Sequence, residues 1–396
     1  MQYRTDPKSG QSLPVLGLGC MRFPRGKNTR IDMEKTEKML LSAIERGVNY
    51  LDTAYIYSGS EQAVGKILEK NGLREKVLLA TKLPHGKCRA YEDFDKFFNI
   101  QLERLRTDYI DYYLIHNLGC AADWERLRPM GIERWIAEKK AAGQIRQIGF
   151  SFHGAQNGFL ELLEAYPWEF TLMQYNYMDE NNQAGRAGLR RAHAMGLPVF
   201  VMEPLLGGKL ASGLPARALK LFQEAGGGDS PAVWALRWLW DQPEVSLVLS
   251  GMSSMAQLDE NIQAAENALP GRFGAREAEL FERVAAVFRE SYRVPCTGCN
   301  YCMPCPKKVN IPGCFAAYNA SYAIHFPEGV KQYVMATGAV GLPGNNASAR
   351  NCVQCGLCEK KCPQRIAVAQ SLRAVSRRLE PLPLRVGYRI GARLTK

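Results

Sequence analysis

The sequence predicts an α/β protein: a closed (β/α)8 (TIM) barrel over residues 1–291, then a smaller, mainly α-helical domain over 292–375, then a basic tail over 376–396. Three observations carry that reading. At 396 residues the chain is long for one domain. Short apolar runs alternate with longer amphipathic segments up to about residue 290. Beyond them, eight cysteines fall into two tight runs between Cys296 and Cys362.

The apolar runs Val15–Met21, Asn49–Thr53, Val77–Leu83, Ile110–His116, Gln147–Phe152, Phe170–Asn176, Pro198–Met202 and Ser246–Leu249 read as buried strands. Patterns of helical period lie between them, among them Met33–Arg46, Tyr91–Leu105, Trp124–Ala142 and Ser230–Trp240. Eight strands, each followed by a helix, suggest a closed barrel more than an open sheet. A barrel of this kind works at the C-terminal ends of its strands, so chemistry is expected just after each run. Residues 275–291 form one more amphipathic helix, a helical stretch surrounds Phe315–Tyr322, and Gly338–Asn346 reads as a surface loop.

The cysteine runs are Cys296, Cys299, Cys302, Cys305 before Pro306, and Cys352, Cys355, Cys358, Cys362 before Pro363. The second has the C-x2-C-x2-C-x3-C-P spacing of bacterial ferredoxins. Three cysteines at strides of three serve one cubane, and the fourth reaches the neighbouring one. Two runs therefore predict two [4Fe–4S] clusters, one held by Cys296, Cys299, Cys302 and Cys362, the other by Cys352, Cys355, Cys358 and Cys305. The first run has two residues, not three, before its last cysteine. Cys305 thus departs from the pattern, and Cys314 is the nearest alternative ligand. Zinc is the competing reading, but its sites usually come as separated CxxC pairs.

The apolar share of 46% suits an ordinary globular core. Met1–Lys8 is polar and lacks the apolar stretch of a secretory signal, and no apolar run approaches a membrane span. Cys20, Cys88 and Cys120 lack motif spacing and read as free thiols in a reducing cytoplasm. Of the net charge of +12, half lies in Leu372–Lys396, with Arg373, Arg377, Arg378, Arg385, Arg389, Arg393 and Lys396 against Glu380. Such a tail is either a solvated segment or a docking site for an acidic redox partner. Nucleic acid is not favoured, because neither a binding motif nor interleaved aromatics accompany the charge.

Four residues stand at consecutive strand ends: Asp52 in LDTAYIY with Tyr57 five residues on, Lys82 in ATKLP, and His116 in LIHN. Singly each has an ordinary explanation, such as a cap, a solvated strand end, a packing aromatic or a structural histidine. Together with GLGCMR, IGFS, QYNYMD, VMEPLLGG and SGMSSMAQLDEN they resemble the aldo-keto reductase family across the whole barrel. CTGCNYCMPCPKKVNIP and NCVQCGLCEKKCPQ resemble the ferredoxin-like extension of one branch of it. The resemblance implies hydride transfer between a nicotinamide and a small carbonyl or alcohol substrate. Tyr57 would donate the proton, and Lys82, held by Asp52, would favour its phenolate over an ordinary pKa near 10. His116 would donate to the carbonyl oxygen. Relatives that reduce steroid carbon–carbon bonds carry Glu there, so His116 leans toward C=O/CH–OH chemistry.

For the cofactor, the resemblance places Ser151 on the nicotinamide carboxamide, with Phe152 and His153 where an Asn is usual. Leu172 stands where the family's Gln is expected, and Gln174, two residues on and on the same strand face, is the substitute. Met202 replaces a stacking Tyr. Leu205, Gly207 and Gly208 in the loop Leu205–Leu210 would approach the pyrophosphate. Glu260 and Asn261 match the adenine contacts. Where the family clamps the NADPH 2′-phosphate with cations, this chain has Gly251, Ser253 and Gln257, and no basic residue lies between Glu244 and Asn261. Each lost charge-assisted bond forfeits roughly 1.5–3 kcal/mol, so weak discrimination between NADPH and NADH, or preference for NADH, is expected.

A nicotinamide moves two electrons as hydride, whereas iron–sulfur clusters carry one at a time. Three arrangements follow. The clusters serve a flavoprotein or other redox partner; or they are structural or sensing elements; or the barrel is a decayed scaffold for an electron-transfer subunit. Tyr55, Trp124 and Trp168 are candidates for an aromatic substrate mouth or for packing.

Overall fold

The computed structural model describes residues 1–26, 30–337 and 347–380. The expected loop 338–346 and the tail beyond 380, with Arg385, Arg389, Arg393 and Lys396, lie outside the described residues. By its contacts the chain divides into two units, Met1–Leu205 with Ala232–Gly274, and Leu206–Pro231 with Ala275–Lys396.

In the first unit, a short antiparallel pair of β1 (Tyr3–Thr5) and β2 (Ser12–Pro14) precedes the barrel. The barrel itself is β3 (Leu16–Gly19), β4 (Tyr50–Asp52), β5 (Leu78–Leu83), β6 (Ile110–Leu118), β7 (Ile145–Phe152), β8 (Phe170–Gln174), β9 (Val199–Met202) and β10 (Val245–Ser250). Each strand pairs in parallel with the next, and β10 closes onto β3. All eight predicted strands are present. Helices α1 (Met33–Glu45), α2 (Ser60–Lys70), α3 (Tyr91–Leu105), α4 (Ala121–Leu127), α5 (Ile132–Ala141), α6 (Gln156–Ala165) and α7 (Gly185–Ala194) follow in turn. They are succeeded by α8 (Ala216–Ala225), α9 (Pro231–Trp240) and α10 (Met255–Ala265). One expectation is corrected: Trp124–Ala142 is not a single helix. Pro129 lacks an amide hydrogen to donate, and Gly131 turns the chain at φ 88°, so α4 and α5 are separate.

Parallel strands covered by helices are apolar on both faces, which is why they read as continuous runs. The inner layer holds Tyr50, Leu78, Tyr112, Phe170, Phe200 and Leu247, and Leu13 from β2 joins it. Tyr50, Tyr112, Phe170 and Phe200 meet edge-on or tilted, with centroids 5.0–5.6 Å apart. Trp124 and Trp168 lie in the outer core, fully and nearly fully buried, with centroids 4.8 Å apart. Tyr55 packs edge-on against Phe97 at 5.0 Å. Trp124 and Trp168 are therefore packing residues, and Tyr55, half-buried, packs against the same core.

The second unit gathers α8, α11 (Ala275–Ser291), α12 (Ile311–Ala323), α13 (Phe326–Thr337) and α14 (Val368–Leu379). Its grouping does not coincide with a boundary at residue 291. Phe281 of α11 meets Phe222 of α8 with centroids 6.0 Å apart, and the Tyr292 hydroxyl donates to Gly213 O at 2.6 Å. Helices dominate here, as expected. Val294, Ile311, Phe315, Ile366, Val368 and Leu372 form the core on which both cysteine runs lie.

Candidate functional site

Strand parity builds the site. Tyr50, Ala80, Tyr112, Phe170 and Phe200 point into the barrel, and residues two apart share a face. Asp52, Lys82, His116, Gln174 and Met202 are therefore brought to the inner rim, in some cases through one intervening inward residue. In β7 the neighbours Phe150 and Phe152 pack outward, which turns Ser151 inward. Six predicted residues from six adjacent strands thus share one rim. Tyr57 sits on the turn between β4 and α2, built by Tyr57 N–H to Ala54 O at 2.9 Å and Ser60 N–H to Tyr57 O at 3.0 Å.

At the centre is a buried ion pair. Lys82 Nζ lies 2.7 Å from both Asp52 carboxylate oxygens and 2.6 Å from Thr53 O. Burial pushes the Asp52 carboxyl up from its ordinary value, and the Lys82 ammonium pulls it back. Lys82 Nζ is 5.1 Å from the centre of the Tyr57 ring, so it reaches the phenol as a nearby positive charge. The Tyr57 and His116 rings stand edge-on with centroids 6.1 Å apart. Burial first, then the charges of Lys82, His153 and His85, hold His116 well below the usual histidine range. A neutral imidazole next to a cation, a half-buried phenol and an inward Ser151 is the equipment for polarising and protonating a carbonyl oxygen.

Two supports were not legible in the sequence. Behind β5, Glu61 accepts from Thr81 Oγ1 at 2.7 Å and from Gln101 Nε2 at 2.9 Å, and pairs with Arg104 at 3.0 Å. Gln101 Nε2 also donates to Lys82 O at 3.0 Å, fixing the backbone that carries the lysine. The second support is a relay. Asp179 Oδ2 accepts from Gln174 Nε2 at 2.7 Å, Gln174 Oε1 accepts from Gln183 Nε2 at 2.8 Å, and Gln183 Oε1 lies 3.1 Å from His153 Nδ1. A carboxylate only accepts, so each amide is oriented in turn and the neutral His153 carries its proton on Nδ1. His85 meets Arg126 at 3.1 Å. Three of the chain's five histidines, His85, His116 and His153, thus lie at or just past strand ends. That position was the available signal.

The remaining cofactor candidates divide. Ser151 Oγ accepts from Asn117 N–H at 2.8 Å, which leaves its own O–H to donate. Both ends of the Gln174 amide are taken up by Asp179 and Gln183, and Leu172 is buried in the inner layer. Gly207 packs against the first cysteine run, where a Cβ would collide with Thr297 O, and Lys209 donates to Cys296 O. Nothing would meet a Cβ on Gly208, so its face is open to a ligand. Leu205 precedes this turn. At the expected adenine end, Gln257 accepts from Ser253 N–H at 2.8 Å, and buried Asn261 donates to Ser250 Oγ at 3.0 Å. Glu260 is half-buried beside it. Gly251 leaves room for Arg22, whose Cδ lies 3.4 Å from where a Cβ would stand. This cation comes from the turn after β3, outside the stretch read for a phosphate clamp.

In the second unit, a pocket is walled by Cys296, Cys299, Cys302 and Cys362, with Ile311, Phe315, Ile366 and Val368. The structure brings together the four thiols that interleaving groups for the first cluster. Burial and then the three other thiolates push the Cys302 thiol up to about 12. Four soft ligands around one apolar volume fit an iron–sulfur cluster, although among the described residues no three potential ligands form a compact single-ion site. Asn319 holds the approach to the first run, accepting from the N–H groups of Arg293 and Val294 at 3.0 Å each and donating to Val294 O at 2.7 Å. In the second run, Cys358 lies close enough to Cys352 for its charge to raise the Cys358 thiol, after burial. Tyr333 anchors the stretch leading into that run, accepting from Ala349 N–H at 2.8 Å and donating to Glu380 at 2.6 Å. Cys314 is fully buried in α12, where burial raises its thiol to about 12.

An eight-stranded parallel barrel with ionisable groups gathered at its strand ends is the architecture of a barrel enzyme. Residues 15–276 match the family model described as "Aldo/keto reductase family", and the chain belongs to that family. Residues 295–368 match "4Fe-4S dicluster domain". Among curated relatives, the 6-dehydroglucose reductase of Novosphingobium aromaticivorans is 29% identical over 289 residues, covering 66% of this chain and 90% of its own. The L-glyceraldehyde 3-phosphate reductase of Escherichia coli is 24% identical over 313 residues, covering 67% and 88%. Among solved structures, aldo-keto reductase AKR11C1 from Bacillus halodurans in its holo form aligns with TM-score 0.59 and 28% identity, covering 72% of this chain and 96% of that one. The chain is thus an aldo-keto reductase with an iron–sulfur domain. Among the described residues, no helix is long and apolar enough to cross a membrane.

Proposed function

We propose that the protein is an NAD(P)H-dependent oxidoreductase acting on a small carbonyl or alcohol substrate, with two [4Fe–4S] clusters for electron exchange with a partner or for structure. The observation that carries it is the Asp52–Lys82 pair beneath Tyr57 and His116. A bound reduced nicotinamide supplies the hydride. Tyr57 then gives its proton to the carbonyl oxygen, and Lys82 opposes the negative charge left on the phenol. Asp52 keeps Lys82 charged and immobile, and neutral His116 orients the carbonyl through an N–H donor. Ser151, whose Oγ accepts from Asn117 N–H, keeps its own O–H to donate to the nucleotide. The named activities of the curated relatives, both reductases, support a carbonyl substrate. Cys296, Cys299, Cys302 and Cys362 would hold the first cluster, and Cys352, Cys355, Cys358 and Cys305 the second. Buried Cys20 and Cys88, unlinked by any disulfide, support a reducing, cytoplasmic setting.

The decisive experiment is Tyr57→Phe. Carbonyl reduction with NADH or NADPH is expected to fall by about 10²–10⁴-fold while nucleotide affinity is kept; unchanged turnover would refute the assignment. A second reading, the barrel as scaffold for an electron-transfer subunit, is favoured by one observation: the Gln174 amide is committed to Asp179 and Gln183. Failure of the wild-type protein to bind either nucleotide would select it.

A further inference from the structure

The two cysteine runs differ in their access to solvent. Cys296, Cys299, Cys302 and Cys362 line a cavity whose other walls include Ile311, Phe315 and Val368. In the second run Cys355 is exposed, alone among the eight cysteines of the two runs. The apolar residues beside it are also exposed, Val353 at 58% and Leu357 at 50%. Apolar side chains that a small core could have used are left facing water next to a thiol assigned to a cluster. An exposed apolar patch with a polar rim marks an interaction surface.

Cations flank this patch in sequence. Arg350, Lys360, Lys361 and Arg365 are all exposed within the same stretch of chain. Arg373, also exposed, comes from α14 and donates to Gln354, between Val353 and Cys355. Among the described residues none of these five makes an ion pair with an acid of its own chain. The segments outside the description, 27–29, 338–346 and 381–396, contain no Asp or Glu. Glu359, the one acid within the run, is half-buried and accepts from Ala369 N–H at 2.9 Å. The positive field is therefore not cancelled locally.

We propose that Val353, Cys355 and Leu357, with the flanking cations, form the docking surface for an acidic one-electron carrier protein, and that electrons enter or leave through the second cluster. Apolar contact over the exposed thiol shortens the path to the cluster, and the flanking cations steer and orient an acidic surface. Interfaces for electron transfer are small and transient. With a flavodoxin as acceptor the step balances as follows. The reduced cluster gives up one electron, and oxidised FMN takes that electron and one solvent proton to become the neutral semiquinone.

The test is anaerobic stopped-flow transfer from dithionite-reduced, desalted full-length protein to an acidic flavodoxin, with a basic cytochrome c as the opposite probe. Lys360→Glu with Lys361→Glu is expected to slow transfer to flavodoxin by at least about tenfold at low salt. The difference should shrink at high salt, and transfer to the cytochrome should become faster. Leu357→Ser is expected to slow flavodoxin reduction at every salt concentration. Transfer from wild-type protein that ignores ionic strength, or charge reversal without effect on either acceptor, would overturn the proposal. Should the reversal disturb the cluster, Lys360→Gln with Lys361→Gln asks the same question, with a smaller slowing expected. The proposal rests on the two-cluster reading, and electron paramagnetic resonance separates the two. No second cluster signal in wild type refutes that reading, whereas an intact signal with charge-insensitive transfer refutes only the docking surface.

Discussion

Replacing Asp52 by Asn keeps its shape and removes its charge. Lys82 is 1% exposed and Asp52 4%, so the pair is out of water. Two ion-pair bonds at 2.7 Å would become at most one bond from the ammonium to a neutral amide oxygen, with Thr53 O still at 2.6 Å. Leaving a buried charge unpaired costs about 3–5 kcal/mol. For a unit of this size that lowers the melting temperature by roughly 6–20 °C, read by tryptophan fluorescence. The double variant Asp52→Asn, Lys82→Met removes both charges. Because a buried pair replaced by apolar groups is often neutral or stabilising, most of the lost stability should return while carbonyl reduction stays abolished. A single variant that melts within about 1 °C of wild type, or a double variant no more stable than the single, would refute the buried-pair argument.

Acid should destabilise the barrel through its histidines. Burial lowers His153 to about 4 and His116 well below its usual value. The unfolded chain therefore binds more protons below about 6.5. Stability is full above that pH and declines as pH falls toward 4, and His153→Gln should flatten the profile of urea midpoint against pH. Cys302→Ser and Cys362→Ser should each remove the same cluster, lowering iron content by half and leaving the same residual resonance signal; different residual signals would break the interleaved grouping. For the nucleotides, weak discrimination or a preference for NADH is expected, and a kcat/KM advantage of about a hundredfold for NADPH over NADH would refute it. Arg22→Ala should weaken NADPH more than NADH if its position beside Gly251 serves the phosphate, and equal losses would dismiss that role.

The barrel was legible because fully buried parallel strands leave uninterrupted apolar runs, as in Leu78–Leu83 and Phe170–Gln174. The rim residues were legible because parity and strand-end position are local properties. What escaped depends on contacts distant in sequence. Tyr3–Thr5 and Ser12–Pro14 are three-residue strands, too short to show a period. Glu61, Thr81, Gln101 and Arg104 meet only once α2 and α3 are packed, with Gly65 so close to the Arg104 backbone that a Cβ would not fit. Gln183 reaches His153 from 30 positions away. The Leu205–Leu210 loop was read for the pyrophosphate alone, and its second attachment, Lys209 to Cys296 O, spans 87 positions.

Energetics bears on the scaffold reading. A barrel retained only to carry clusters has no use for a buried lysine and carboxylate, since apolar residues of similar size would hold the fold at least as well. Buried charges of this kind, held by several directed contacts and facing a half-buried phenol, are what a proton-transfer site requires. The commitment of Gln174 points the other way but touches only one of the proposed nucleotide contacts, and Ser151 keeps an O–H to donate. The Asp52–Lys82 pair therefore weighs more than the lost amide. For the proposed reductase, hydride chemistry and one-electron carriage stay separate functions until a component that splits an electron pair connects them.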